Sequence, residues 1–148
     1  MQISEILSAE CIGCKVEASS KKSALEELAK LIASSDPSLT YAEIFGCLIA
    51  REKLGSTGLG NGIAIPHCRF SDSKHTVGAF IQLKKAIDYD AIDQQPVDLL
   101  FALIVPQDST DEHLQILSAL AEKFSDNSLL SRLRVESRPE RIYKILTG

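Results

Sequence analysis

The sequence predicts a single α/β domain, with a mixed β-sheet of about five strands and helices packed on both faces. Two observations predict it. Stretches with apolar residues at helical spacing stand before, between and after stretches typical of strands. One of the strand-like stretches, residues 97–105, is almost wholly apolar and is closed by a proline, which is typical of a central strand covered on both faces.

Length and composition are those of an ordinary globular domain. The chain has 148 residues, enough to bury one core, and its aromatic content of only 5% implies a core of Leu, Ile, Val and Ala. The net charge of −4 argues against sequence-independent nucleic-acid binding, which needs clustered Lys and Arg. No apolar run is long enough to span a membrane, and the first residues lack the features of a signal peptide. We therefore expect a cytoplasmic protein.

The first two helices are marked by their capping residues. One helix is expected after Ser20, and a second after Thr40, where Glu43 completes a capping box. The apolar stripe of the second helix places Arg51 in its last turn, where the helix dipole favours a cation.

Three further helices are expected in the last third of the chain. The first is predicted to be capped by Ser109, with Glu112 at its third helical position. A short helix is expected near residues 129–135. The last is predicted to begin at Ser137, with Pro139 in its first turn.

The strands are expected at residues 63–65, 76–83 and 97–105. Four glycines precede the first of them within eight residues, and that strand runs directly into Pro66 and His67. So many glycines in one segment indicate a loop in which at least one residue needs a positive φ angle.

The segment REKLGSTGLGNGIAIPHCRF, residues 51–70, carries the clearest chemistry. It is not a Walker loop, because no Gly-Lys-Ser/Thr follows the glycines, and not a dinucleotide fingerprint, because the order is helix, glycines, strand. A glycine-rich loop can present amides to an anion, and a histidine can be a covalent nucleophile. Thr57, Gly58, Gly60 and Gly62 are thus candidates for cradling a phosphoryl group on His67. The alternative is a structural turn beside a surface histidine.

This segment resembles the phosphorylation-site pattern of the fructose- and mannitol-type IIA proteins of the bacterial phosphotransferase system, the EIIA type-2 family. Glu52, the pair Leu59-Gly60, the run 63–67 and the small Cys68 match it position by position. The resemblance continues at residues 90–106 and 113–121 and so covers nearly the whole chain, which we expect to be one EIIA type-2 domain over residues 1–148. The chain looks most like the nitrogen-regulatory branch of the family.

The resemblance implies that His67 is the phosphohistidine and accepts phosphate at Nε2, and that Arg51 and His113 match the arginine and the second histidine of the family's active site. Nε2 must be unprotonated to attack, so we expect Nδ1 to hold the proton against a backbone carbonyl. Arg51 would screen the phosphoryl oxygens, and His113 would hydrogen-bond the phosphate. The helix dipole would lower the pKa of His113, whereas Asp111 and Glu112 would raise it, and the sequence leaves both outcomes open.

The four cysteines are not expected to form a disulfide framework, since the chain shows no export signal and predicts a full-sized core. Cys11 and Cys14 form a CxxC pair without the second pair that a structural zinc site would need, so no metal site is expected. Their redox role stays open. Cys47 is predicted to be a core residue. Cys68 is not expected to form a dyad with its neighbour His67, because neighbours in an extended chain point to opposite faces.

The leading hypothesis is a phosphoryl-carrier regulator, phosphorylated by a phosphorylated HPr-type carrier protein and acting on target proteins according to its phosphorylation state. The resemblance implies potassium-transport or nitrogen-control proteins as possible targets. The alternatives are a sugar-uptake IIA component that passes phosphate to a IIB domain, and a binding module with a silent histidine. No cofactor, nucleic-acid partner or direct membrane insertion is expected. Docking is expected on an apolar rim of Leu59, Ile65 and Phe70. Residues 86–126 carry a net charge of −8, which suits either a basic partner surface or a solvated acidic face.

Overall fold

A computed structural model describes residues 2–109 and 111–148, apart from the side chain of Glu112. Its centre is a mixed sheet with the order β1-β5-β6-β3-β2, in which β4 also pairs with β6. The strands are β1 (Ile12–Val16), β2 (Gly58–Gly60), β3 (Ile63–Ala64), β4 (His67–Phe70), β5 (Val77–Ile87) and β6 (Val97–Pro106). The α/β prediction is confirmed, with six strands in the sheet where about five were expected.

Six α-helices and one 3-10 turn, Ala9–Cys11, surround the sheet in the described residues. The helices are α1 (Ile3–Ile6), α2 (Lys21–Ser35), α3 (Tyr41–Glu52), α4 (Asp111–Lys123), α5 (Asn127–Val135) and α6 (Pro139–Thr147). No described helix combines the length and the apolar character that a membrane crossing would require.

The predicted caps of α2 and α3 are confirmed. The Ser20 side chain accepts a hydrogen bond from the backbone amide of Ser23, and Thr40 and Glu43 form a reciprocal capping box. Helix α3 then ends at Glu52, so that Arg51 lies in its last turn as predicted.

One later helix start differs from the prediction. Helix α6 is preceded by Arg138 rather than capped by Ser137, and Pro139 is its first residue, where a missing amide hydrogen has no consequence. Helix α4 is described from Asp111 onward. Residue 110 and the side chain of Glu112 lie outside the described residues, and the predicted capping interaction lies outside them too.

Neighbouring residues of β5 show how the sheet is covered on both faces. A Cβ on Gly13, the β1 partner of Ile81, would contact both Ile81 and Leu31 of α2, so Ile81 faces α2. The next side chain, Gln82, points the other way and donates through Nε2 to the backbone carbonyl of Leu133 in α5. This alternation follows from the twofold period of a strand and gives the sheet two buried faces.

Strand β6 is the central strand, as the sequence predicts. It pairs with β5 in antiparallel fashion on one side and with β3 and β4 in parallel fashion on the other. Every residue from 99 to 105 is buried. Because β3 and β4 are both paired with β6, this strand sets the position of Ile65 and Pro66 between them and of His67 at the start of β4.

The turn between β2 and β3 explains part of the glycine cluster. Gly60, Asn61 and Gly62 have φ angles of +95°, +58° and +81°, so three consecutive residues adopt left-handed backbone conformations. Glycine occupies such conformations without the Cβ clash that costs other residues about 1–2 kcal/mol. The predicted need for a positive φ angle in this segment is confirmed.

Candidate functional site

His67 is the first residue of β4 and is held by main-chain contacts. Leu103 of β6 donates its amide to the carbonyl of Pro66, with an N–O distance of 2.9 Å. The ring Nδ1 of His67 lies 2.6 Å from the carbonyl oxygen of Ile65. Because a carbonyl only accepts, Nδ1 must carry the proton and donate it, which leaves Nε2 with a free lone pair.

The surroundings of His67 favour its neutral form. Burial lowers the pKa of His67 below its ordinary value of 6.5, because the charged imidazolium loses solvation. The carbonyl of Ile65 and the charge of Glu52 act in the opposite direction on this pKa, and the charge of Arg51 lowers it further. The result is an imidazole that is neutral near pH 7, the state that a nucleophilic nitrogen requires.

His113 lies in the first turn of α4 beside His67. The centroids of the two rings are 5.5 Å apart, with the planes tilted by 57°. Burial lowers the pKa of His113, and the neighbouring His67 and Arg69 lower it further. Desolvation is the largest of these three causes. Within the described residues, the buried Nδ1 of His113 has no hydrogen-bond partner.

Arg51 completes the group that the sequence pointed to. Its Nη1 donates to the carbonyl of Gly55 at 2.9 Å, which holds the side chain at the end of α3. Arg51, His67 and His113 line one groove, together with residues of α3 and β4. The structure thus brings together three residues that are far apart in the chain.

The glycine segment is arranged differently from an open cradle. The amide of Thr57 donates to Glu52 at 3.2 Å, that of Gly58 to the Ser56 hydroxyl at 3.1 Å, and that of Asn61 to Asp93 at 3.2 Å. These three amides therefore have partners within the protein and are not free for a phosphoryl group.

The other predicted members of the cradle are also engaged in the fold. Gly58 and Gly60 belong to β2, and a Cβ on Gly62 would meet the side chains of Arg134 and Asp98. Thr57 and Gly58 do line a second groove that reaches His67.

A buried polar network behind this segment was missed by the sequence reasoning, which noted Glu52 only as a motif match. Glu52 is 7% exposed and Tyr89 is fully buried. Lys21 Nζ lies 3.1 Å from Glu52 Oε1, and Thr57 donates both its amide and its hydroxyl to the Glu52 carboxylate. One signal could have revealed it: Glu52 follows Ile44 and Leu48 at intervals of four residues, on the buried stripe of α3.

A disulfide joins Cys47 of α3 to Cys68 of β4, with the two Cα atoms 6.0 Å apart. The sequence predicts no disulfide framework and a core position for Cys47; the structure instead joins Cys47 in a single bridge. Compartment and helix periodicity do not determine which helix packs against which strand, so they could not predict this contact. The bridge ties the helix that carries Arg51 to the strand that carries His67.

The other two cysteines, Cys11 and Cys14, are free thiols, buried and half-buried respectively. Burial raises the pKa of Cys14, and the charges of Glu136 and Glu140 raise it further, so its thiolate is disfavoured. Within residues 2–109 and 111–148 no cluster of three or more potential metal ligands is found.

The exposed apolar residues around the site differ in part from the predicted rim. Leu59 is 48% exposed, but Ile65 is buried and belongs to the core. Leu54 and Ile92, each 84% exposed, line the two grooves that meet at His67. The apolar rim is therefore formed by Leu54, Leu59 and Ile92, with Phe70 half-buried at one side.

Comparisons with known proteins agree on one family. The model of the family described as "Phosphoenolpyruvate-dependent sugar phosphotransferase system, EIIA 2" matches residues 5–148. The nitrogen regulatory protein of Escherichia coli K12 is 47% identical over 148 residues, covering 99% of this chain and 90% of that protein.

A solved structure and a more distant relative extend the comparison. The crystal structure of nitrogen regulatory protein IIA-Ntr from Neisseria meningitidis superposes with a TM-score of 0.92 at 47% identity, covering 98% of this chain and 99% of that one. A fructose-specific EIIA component of Haloferax volcanii is 31% identical, over 97% of this chain and 94% of that protein.

Proposed function

The chain belongs to the EIIA type-2 family of the phosphoenolpyruvate-dependent sugar phosphotransferase system, and from this premise we propose that it is a phosphoryl-carrier regulator. It accepts a phosphoryl group on Nε2 of His67 from a phosphorylated HPr-type carrier protein. One observation carries the proposal: Nδ1 of His67 donates to the Ile65 carbonyl, so that Nε2 is the free nucleophile in a groove shared with Arg51 and His113.

The transfer is an in-line displacement at phosphorus. The bond between phosphorus and the carrier breaks as the bond to Nε2 forms, while Nδ1 keeps its proton. Catalysis of such a loose transition state is mainly positioning and charge stabilisation. The guanidinium of Arg51 stabilises the charge on the equatorial oxygens, and neutral His113 supplies one N–H donor from the side of α4.

Phosphorylation then changes the surface that target proteins meet. The phosphoryl group brings about −1.5 to −2 charges into a groove rimmed by exposed apolar side chains, which favours some partners and repels others. Two full-length relatives named nitrogen regulatory proteins support a regulatory role. Potassium-transport and nitrogen-control proteins are the candidate targets. The proposed chemistry requires no metal or cofactor, since the imidazole performs it. We infer a cytoplasmic location without membrane insertion, where the protein would exchange phosphate with the carrier.

A sugar-uptake role is the second candidate, favoured by the match to a fructose-specific EIIA component. In that role His67 would pass its phosphoryl group on to a IIB domain. The two functions share the first transfer and differ in the second. Incubating the phosphorylated protein with isolated IIB domains separates them, because a regulator keeps its label whereas a transport component loses it.

The first transfer is tested by incubation with phosphorylated carrier and mapping of the acid-labile phosphate by mass spectrometry. We expect label on His67 alone. His67→Ala should take no label and keep its fold, because this ring lies at the start of a strand and contributes little to the core. Label on His113, or an undiminished signal from His67→Ala, would overturn the assignment.

A further inference from the structure

An ion pair with a buried carboxylate joins α2 to α3 close to the glycine segment. Lys21 is the first residue of α2, and its Nζ lies 3.1 Å from Oε1 of Glu52, whose side chain is only 3% exposed. The same Nζ lies 4.6 Å from the centre of the Tyr89 ring. Removing a carboxylate from water is unfavourable unless it is paired and hydrogen-bonded. An ion pair of this kind therefore adds little to the free energy of unfolding.

Both oxygens of the Glu52 carboxylate accept hydrogen bonds from one residue of the glycine segment. Thr57 donates its amide to Oε1 and its hydroxyl to Oε2, so both oxygens of Glu52 hold the same residue. The Tyr89 hydroxyl lies 3.2 Å from the Thr57 hydroxyl. Burial raises the pKa of Tyr89, and the charge of Glu52 raises it further, so the phenol stays protonated.

Thr57 leads by main-chain bonds to the nucleophile. Its carbonyl accepts the amide of Ile65 at 3.0 Å, and the carbonyl of Ile65 accepts the Nδ1 proton of His67 at 2.6 Å. An unbroken series of contacts therefore runs from Lys21 and Glu52 through Thr57 and Ile65 to the His67 ring.

We propose that Glu52, held by Lys21, is a positioning residue for phosphoryl transfer: its carboxylate fixes Thr57, and through it the Ile65 carbonyl that orients the His67 ring and selects its tautomer. This inference rests on the proposed function of His67 as the phosphoryl acceptor. It adds a role for the first residue of the sequence motif, which touches neither the phosphoryl group nor the reacting nitrogen.

The role predicts an effect on rate that a purely structural residue would not have. A displacement of about 1 Å at a reacting group can cost roughly a hundredfold in rate. Loss of the Glu52 carboxylate should therefore lower the rate constant at saturating carrier about tenfold or more. The KM for the carrier should change less than twofold, because the exposed rim of the groove is untouched.

The variants are Glu52→Gln, which keeps the shape and removes the charge, and Thr57→Val, which removes the hydroxyl. Thr57→Ser is the conservative partner of the second variant and should recover the rate to within about twofold. Glu27→Gln is the matched control for Glu52→Gln, because it removes the charge of a surface carboxylate whose only ion pair in the described residues is with the exposed Lys30. All rates are measured well below the melting temperature and expressed per folded molecule.

A second measurement determines the tautomer of the His67 ring and does not depend on phosphoryl transfer. Long-range proton–nitrogen NMR spectra distinguish the two neutral tautomers of His67. We expect the Nδ1–H tautomer to dominate in the wild type, Glu27→Gln and Thr57→Ser, and to lose population in Glu52→Gln and Thr57→Val. The groups around the ring, Arg51 and Glu52 on α3, Arg69 on β4 and His113 on α4, require spectra over a pH series so that tautomer and protonation are separated.

Two outcomes would overturn the inference. One is transfer by Glu52→Gln and Thr57→Val within about twofold of the wild type. The other is an unchanged tautomer balance in both variants. If the wild type takes no phosphate at all, the proposed function of His67 fails, and the NMR result still decides whether Glu52 positions the ring.

Discussion

The two adjacent histidines should make the free energy of unfolding depend on pH, and replacing His113 by Gln should weaken that dependence. In the folded protein burial lowers the pKa of both His67 and His113 below 6.5. In the unfolded chain both return to that ordinary value. Below about pH 6.5 the unfolded state therefore binds more protons than the folded state, and stability falls as the pH falls.

The size of the effect follows from the number of groups involved. Each buried imidazole adds at most about 1.4 kcal/mol per pH unit to the slope of unfolding free energy between its two pKa values. The two rings lie 5.5 Å apart, so protonating one opposes protonating the other. His113→Gln should remove up to about 1.4 kcal/mol per pH unit from the slope below pH 6.5 and leave the slope above pH 7.5 unchanged.

Urea unfolding at intervals from pH 5 to pH 8 measures this slope in each protein. His75→Gln is the comparison variant, because that side chain is 70% exposed and lies outside the groove, where its Nε2 is 3.6 Å from Oδ2 of Asp36. A constant loss of stability from the substitution shifts the whole curve and does not alter the slope. If His113→Gln keeps the wild-type slope below pH 6.5, or if stability rises as the pH falls, then burial does not hold these imidazoles neutral and the argument for a neutral nucleophile is wrong.

Three further predictions test other parts of the site. Arg51→Ala and His113→Ala should each remain phosphorylatable but transfer roughly ten- to a hundredfold more slowly in stopped reactions, since each loses one charge-assisted or polar contact; unchanged rates in both would contradict the groove geometry. Gly60→Val should lower the unfolding free energy by about 2–3 kcal/mol, measured in urea, because it strains a left-handed residue and crowds the carboxylate that accepts the next amide; an unaltered melting curve would show that the turn adapts. Under denaturing conditions without reductant, thiol titration should find two reactive thiols per chain and four after reduction, because Cys47 and Cys68 are bridged; four thiols before reduction would exclude the bridge.

Features with a local or periodic signal could be predicted from the sequence. The capping box of Thr40 and Glu43 is a three-residue pattern, and the central strand β6 is a long apolar run bounded by a proline. Helix α3 is predicted well enough to place Arg51 in its last turn. Each of these signals lies within one helix or strand, so the element can be predicted without knowledge of its distant contacts.

Features that depend on distant pairing could not be predicted in this way. Strands β2 and β4 are too short to show an alternating pattern, and they form because β2 pairs with β3 and β4 pairs with β6. The Lys21–Glu52 pair and the Cys47–Cys68 bridge each join residues on different elements. In the glycine segment, the sequence predicts the positive φ angles but not the hydrogen-bond partners of the amides.

The hydrogen bond that orients the nucleophilic ring of His67 is accepted by a peptide group and not by a side chain. The acceptor for His67 Nδ1 is the main-chain carbonyl of Ile65, an atom that every amino acid possesses. Substitution of the buried Ile65 side chain leaves that acceptor in place, so the identity of this side chain does not decide which nitrogen of His67 is free to react. The apolar rim of Leu54, Leu59 and Ile92 can therefore be altered to suit a new partner without altering the chemistry. The rim that would contact a partner consists of side chains, whereas the group that orients the nucleophile is a main-chain carbonyl. This separation makes the groove a suitable place to redirect a phosphoryl group to a chosen protein.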